Sequence, residues 1–195
     1  MARQLAAQSS AEIVIANLAR ELAIDEGTVR SYLDVLGTLY LIRQLPAWTT
    51  SQTNRAKRRS VLHFVDTALA CHLVGATVND LAQFESPWFG PLLESYVVGE
   101  LAKQASWAEH PVQLGHYRDR DRREVDVVLE RGRDVVGIEV KATSSPTVAH
   151  ARHLVYLRDR LGKRFRLGVV LHAGAHTLRL GDRLIAAPIA ALWAR

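Results

Sequence analysis

Asp126, Glu139 and Lys141 have the types and the spacing to hold a divalent cation against a phosphate. They lie in the stretch Glu124-Val-Asp-Val-Val-Leu-Glu-Arg-Gly-Arg-Asp-Val-Val-Gly-Ile-Glu-Val-Lys141. Gly132-Arg133 suits a two-residue type II′ turn with glycine first, which sets Arg131 opposite Asp134. Counting outward along both strands brings Asp126 opposite Glu139, and strand alternation puts Lys141 on the same face. A three-residue turn would break that register. Opposed side chains stand roughly 5 Å apart at Cβ, and like charges there are destabilising. A bound cation would offset the repulsion. Two carboxylates can hold Mg²⁺, with Mn²⁺ as a substitute; the metal polarises a phosphate and makes its bound water a better nucleophile. Lysine can orient that water or stabilise the developing charge. The bare pattern Asp…Glu-x-Lys is short and common, and it also fits a solvated hairpin face with a Glu–Lys pair.

Glu94 adds weight to the chemical reading. It shares a helical face with Val97, Val98 and Leu101 at the i, i+3, i+4, i+7 spacing. A carboxylate on an apolar face is costly unless it is paired or binds metal. Glu100 is the second choice for this role. A salt bridge from Glu94 to a buried arginine is the plain alternative.

The elements that must position these groups follow from pattern. Ser9-Ser-Ala-Glu12 reads as a capping box opening a helix to Leu22. Asp25 caps a second helix, from Glu26 to about Leu36, with Val29, Tyr32, Leu33 and Leu36 inward. Gly37 is a plausible breaker, and Leu39–Ile42 begins a strand that runs to Pro46. Ser60–Val65 forms the partner strand, so the loop between them would be a wing. These features read as a winged helix-turn-helix over residues 1–74. Asp66–Leu73 is helical, and residues 75–90 connect the modules. A second module spans 91–195. Its order is a helix from Leu92 to about Ala105, strand Leu114–Tyr117, the hairpin, a helix from Val148 to Leu161 and strand Phe165–Leu171. A closing hairpin covers Leu178–Leu180 and Arg183–Ala187. That order predicts an α/β domain with a central mixed sheet.

Composition bounds the partners. The chain has 195 residues, 48% hydrophobic and 23% charged, which is globular. One cysteine, Cys71, excludes an internal disulfide framework and a cysteine-rich zinc site, and suits the cytoplasm. No apolar run reaches membrane-spanning length, so no membrane partner is expected. Net charge is +5. Residues 86–195 hold 17 Lys/Arg against 12 Asp/Glu, and residues 1–85 hold 8 of each. The excess therefore lies with the carboxylates. It fits a nucleic-acid partner as well as it fits a soluble basic surface.

A resemblance joins these pieces. Phe89-Gly-Pro-Leu-Leu-Glu-Ser-Tyr-Val-Val-Gly-Glu-Leu101, Glu124-Val-Asp-Val-Val-Leu129 and Ile138-Glu-Val-Lys141 resemble the domain-of-unknown-function family 4143. Leu18–Leu33 resembles that family's helix-turn-helix part and Phe64–Leu69 its middle motif. The resemblance implies the C-terminal half of a bacterial or archaeal AAA-type ATPase. It also implies a C-terminal fold like the PD-(D/E)xK restriction endonucleases. On that likeness Asp126 is the principal metal ligand, Glu139 the second, Glu94 the helix carboxylate and Lys141 the catalytic lysine. Val125 stands where the motif's literal form has proline. The chain contains no G-x-x-x-x-G-K-[ST] phosphate loop, so no nucleotide site is expected in it.

Cations expected to touch nucleic acid are Arg30 on the second helix, the knot Arg55, Lys57, Arg58 and Arg59, and Arg118, Arg120, Arg122 and Arg123 before the hairpin. The competing reading is non-enzymatic: a recognition or regulatory module of an ATPase that binds DNA or protein. The pairs His150/His153 and His172/His176 lack partners at zinc spacing and read as solvated or core residues.

Overall fold

The computed structural model describes residues 1–50 and 58–194. Residues 51–57 hold most of the expected wing, with Arg55 and Lys57, and lie outside the described residues.

The N-terminal part packs helix α1 (Ala2–Ala7), α2 (Ile15–Leu22) and α3 (Glu26–Thr38) against a small sheet. The sheet comprises β1 (Ala11–Glu12), β2 (Ile42–Leu45) and β3 (Val61–Phe64), in the order β1-β3-β2. Both pairings are antiparallel. Asp25 caps α3 as expected, accepting from the Thr28 amide at 2.9 Å. Two expectations fail here. Ser9–Glu12 opens no helix: Ser10 takes a left-handed φ of 64° and Ala11–Glu12 pair with Leu62 and Val61. Both serine hydroxyls are spent on distant partners, so neither caps a helix. Gly37 does not stop α3, which runs on to Thr38.

Helices α4 (Thr67–Val74) and α5 (Val78–Leu81) lead to α6 (Phe89–Ser106). Asp66 caps α4 by accepting from the Ala68 and Leu69 amides. The larger part is a mixed six-stranded sheet in the order β4-β5-β6-β7-β9-β8. Its strands are β4 (Gln113–Arg118), β5 (Glu124–Arg131), β6 (Asp134–Lys141), β7 (Phe165–His172), β8 (Leu178–Gly181) and β9 (Leu184–Pro188). The crossover helix α7 (Arg152–Leu161) makes β6 and β7 parallel neighbours.

Helices cover both faces of this sheet. On one, Leu154, Leu157 and Leu161 of α7 pack with Val128, Val135, Phe165 and Val170. On the other, Val97, Val98 and Leu101 of α6 pack with Val127, Ile138, Val140 and Leu171. Strand alternation explains the split, since Val135 and Gly137 face α7 while Ile138 and Val140 face α6. Gly137 lets α7 pack closely there: a Cβ would stand 2.7 Å from Leu154 Cδ2, which would have to move.

The two parts are fastened together. Leu45 belongs to the α6 core and Trp48 to the α7 core. Ala47 bridges to His116 in parallel fashion, with the Trp48 amide donating to the His116 carbonyl at 2.6 Å. No helix among the described residues is long and apolar enough to cross a membrane.

Candidate active site

The β5–β6 hairpin takes the expected register from Arg131 opposite Asp134 to Val127 opposite Ile138. Gly132 has φ 60° and Arg133 stays at negative φ, as a type II′ turn requires. The pairing then ends one residue short of Asp126. Across β4, His116 alone stands between pairs that are separated on β5 by both Asp126 and Val127. This is a bulge, which bends a strand and re-aims a side chain. Asp126 consequently does not lie flat across from Glu139. Its Oδ2 accepts from the Val140 amide at 2.7 Å, a donor that an unbroken ladder would give to a backbone carbonyl.

Glu139 remains on the α7 face of β6 and is 3% exposed. Lys141 Nζ donates to its Oε2 at 2.9 Å. Its Oε1 is buried with no hydrogen-bond donor; His153 Nδ1 lies 3.7 Å from it. Burial pushes the Glu139 carboxyl well up, and the Asp126 charge adds to this against the opposing pull of Lys141. Glu94 reaches the same place from α6, where Ser10 donates to its Oε2 at 2.5 Å. Burial, then the Asp126 charge, pushes Glu94 up to about 8. Burial works to lower Lys141, yet the charges of Asp126 and Glu139 hold its ammonium above the ordinary value. Asp126 and Lys141 therefore lie within electrostatic reach of both Glu94 and Glu139. Burial first, and the Asp126 charge second, keep these two glutamates reluctant to ionise.

The oxygen donors match a hard cation in type. Among the described residues, however, no three His, Cys, Asp or Glu side chains are close enough together to hold a metal ion as placed. Glu100, the second choice on α6, lies elsewhere and pairs with Lys103 and the Trp193 indole.

Sequence reasoning passed over several neighbours. His153 sits beside Glu139 because α7 starts there. Its Nδ1 lies 2.8 Å from the Glu124 carbonyl and 3.3 Å from the Glu124 amide. Arg152 Nε donates to Nε2 at 3.1 Å, so Nδ1 carries the proton and the carbonyl contact is the real bond. His63 and Ser10 line the recess in front of Asp126. No local signal marks Ser10, because its partner is 84 residues away.

The expected nucleic-acid cations separate. Arg58, Arg59, Arg118 and Arg120 gather around one recess next to the carboxylates. Arg123 is engaged with Asp119, Asp121 and the Tyr156 ring, 4.2 Å from its centroid. Arg30 pairs with Glu26 on α3, away from the site, and Arg122 is exposed at φ 59°.

The model of a domain of unknown function (DUF4143) matches residues 89–192, which include α6, the sheet and every carboxylate of the site. The chain belongs to the DUF4143 family. A second domain of unknown function (DUF8612) matches residues 1–80, so the boundary between the two matches falls between α5 and α6. The chain is similar to uncharacterised proteins of Mycobacterium tuberculosis and Mycobacterium bovis. Each is 32% identical over 174 residues, covering 89% of this chain. The chain spans only 37% of the length of those relatives. No solved structure matches the chain.

Proposed function

We propose that the DUF4143 part is a restriction-endonuclease-like domain that cleaves phosphodiesters in nucleic acid with Mg²⁺, and that the N-terminal part is a winged helix-turn-helix. The observation that carries this is the company of Glu139: a buried carboxylate with one orphan oxygen, an ion-paired lysine and the Asp126 carboxylate at its side. Such a group is destabilising in an empty protein and useful only once a cation arrives. Asp126, Glu139 and Glu94 would hold Mg²⁺. When bound, the cation supplies Lewis-acid stabilisation of the phosphate and a more acidic water. Glu94 would give up its proton as the cation binds. Lys141 stays an ammonium, so its part is to neutralise charge on the phosphate oxygens and not to act as a base.

Cleavage of plasmid, single-stranded DNA and RNA with Mg²⁺ or Mn²⁺ tests this, comparing wild type with Lys141→Ala. Cleavage by wild type alone supports the nuclease. Equal behaviour of the two proteins counts against it.

A second reading is favoured by α3. Tyr32, expected inward, is instead exposed on α3 together with Val35, and Leu39 and Tyr40 just after the helix are exposed too, which suits protein contact better than phosphate contact. In this reading the chain is a recognition or regulatory module working with an AAA-type ATPase.

A further inference from the structure

The carboxylates do not open onto a flat face. Asp126 and Glu94 border a cavity of about 250 Å³. A second cavity, of about 260 Å³, is lined by Arg58, Arg59, Arg118 and Arg120. The two adjoin, sharing Glu12, His116 and Arg118 as common walls. Side by side they mark out a path from an arginine-lined mouth to an acidic floor, with ion-paired Arg118 on the wall between them.

Both sides of this path are closed by the N-terminal part. On the α6 side, Ser10 bonds Glu94, and Ser9 bonds the buried Ser95 at 2.9 Å. On the β4 side, the Ala47–His116 bridge joins the two sheets edge to edge. Arg118 spans the gap, 3.1 Å from Glu124 and 3.8 Å from Glu12. The mouth is also preset: Arg58 donates to the Arg118 carbonyl, which fixes its guanidinium. Asp119 also lines this recess, but its carboxylate is taken up by the Asp121 and Arg123 amides and the Arg123 guanidinium. Arg59 and Arg120 have no ion-pair partner among the described residues.

Each cavity is smaller than a small-molecule pocket of roughly 300–1,000 Å³. Two paired strands cannot enter recesses of about 250 and 260 Å³ that are walled by both parts of the chain. A single strand can, because its backbone is thin and flexible and tracks a basic groove.

We infer that the arginine recess is a phosphate-binding subsite that admits single-stranded nucleic acid and passes its backbone to the carboxylates. The inference rests on the phosphodiesterase reading for the acidic end. The arginines hold one backbone phosphate while the neighbouring phosphate enters the acidic cavity together with a divalent cation. Without that cation, the Asp126 carboxylate repels the strand.

The test is fluorescence anisotropy with a labelled oligonucleotide of about ten nucleotides, single-stranded or annealed to its complement. Lys141→Ala protein with Mg²⁺ prevents turnover during the titration, and wild type with Ca²⁺ guards against a folding defect in that variant. The single strand should bind at least about tenfold more tightly than the duplex, and chelation of the cation should weaken it. Arg58→Ala/Arg120→Ala should flatten the slope of log affinity against log salt by about 1.4, since each lost single-strand phosphate contact removes about 0.7. Equal or tighter duplex binding overturns the inference, as does an unchanged slope or no binding of either form. Metal-dependent cleavage that survives in the double arginine variant would leave the phosphodiesterase reading standing while this one falls.

Discussion

Replacing Glu94 with glutamine should stabilise the metal-free protein, and increasingly so as pH rises. The carboxyl goes from 4.5 in an ordinary setting to about 8 in the fold, chiefly through burial and then through Asp126. An acid whose folded value is raised is tolerated when protonated and costs stability once the unfolded chain ionises. The wild type therefore loses stability from about pH 4.5 upward, and the loss is complete near pH 8. At about 1.4 kcal/mol per tenfold, the full span is roughly 5 kcal/mol. Relaxation and water entry reduce such penalties in real proteins, so about 2–3 kcal/mol is the working figure. Glutamine keeps an oxygen to accept from Ser10 and carries no charge. For a domain of this size the gain corresponds to a Tm rise of roughly 5–10 °C. Thermal melts of wild type and Glu94→Gln in chelator, at pH 5 and pH 8.5, read the difference directly. The gap should be small at pH 5 and large at pH 8.5, and Mg²⁺ should close it by stabilising wild type alone. A gap independent of pH, or a variant less stable at pH 8.5, would refute the reasoning.

His63 gives the opposite trend. Burial, with the charges of His116 and Arg43, pushes it down to about 3, so its neutral form is favoured by folding. Stability should fall as pH drops from about 6.5 toward 3, and His63→Gln should show a shallower acid loss in urea titrations. Gly137→Ala should cost about 1–3 kcal/mol by overpacking, because its Cβ meets Leu154 at 2.7 Å and Phe165 at 3.4 Å; chemical denaturation measures this, and a neutral effect would mean that α7 can shift freely. Asp25→Ala should lower the melting temperature through the lost cap of α3, with cation affinity unchanged in calorimetry.

Much of the sheet was legible because its signals are local. Gly132 fixes the turn, and alternation from Val135 to Lys141 fixes the faces, so the hairpin register follows from counting. The bulge at Asp126 was not legible. It depends on His116 of β4, and nothing in the run Val125-Asp-Val-Val128 marks it. The capping-box reading failed for a similar reason: Ser9 and Ser10 have good local partners but better distant ones at Ser95 and Glu94. β1 was invisible because two residues carry no period. Of the site, the four charged groups could be named from sequence, since a carboxylate on the apolar face of α6 demands an explanation. His153 could not, because its proximity to Glu139 comes from where the crossover helix starts. The arginines illustrate the limit of charge counting: Arg123 and Arg118 look alike in sequence, yet one is taken up by its own turn and the other lines the mouth.

The central claim is that these carboxylates are held together for a cation. Isothermal titration of Mn²⁺ into wild type and Asp126→Asn tests it most directly. Asparagine keeps an acceptor for the Val140 amide while removing the charge that both glutamates feel. Saturable binding in wild type, accompanied by proton release and lost in Asp126→Asn, is the predicted result. No binding by wild type, or equal binding by both proteins, would contradict it.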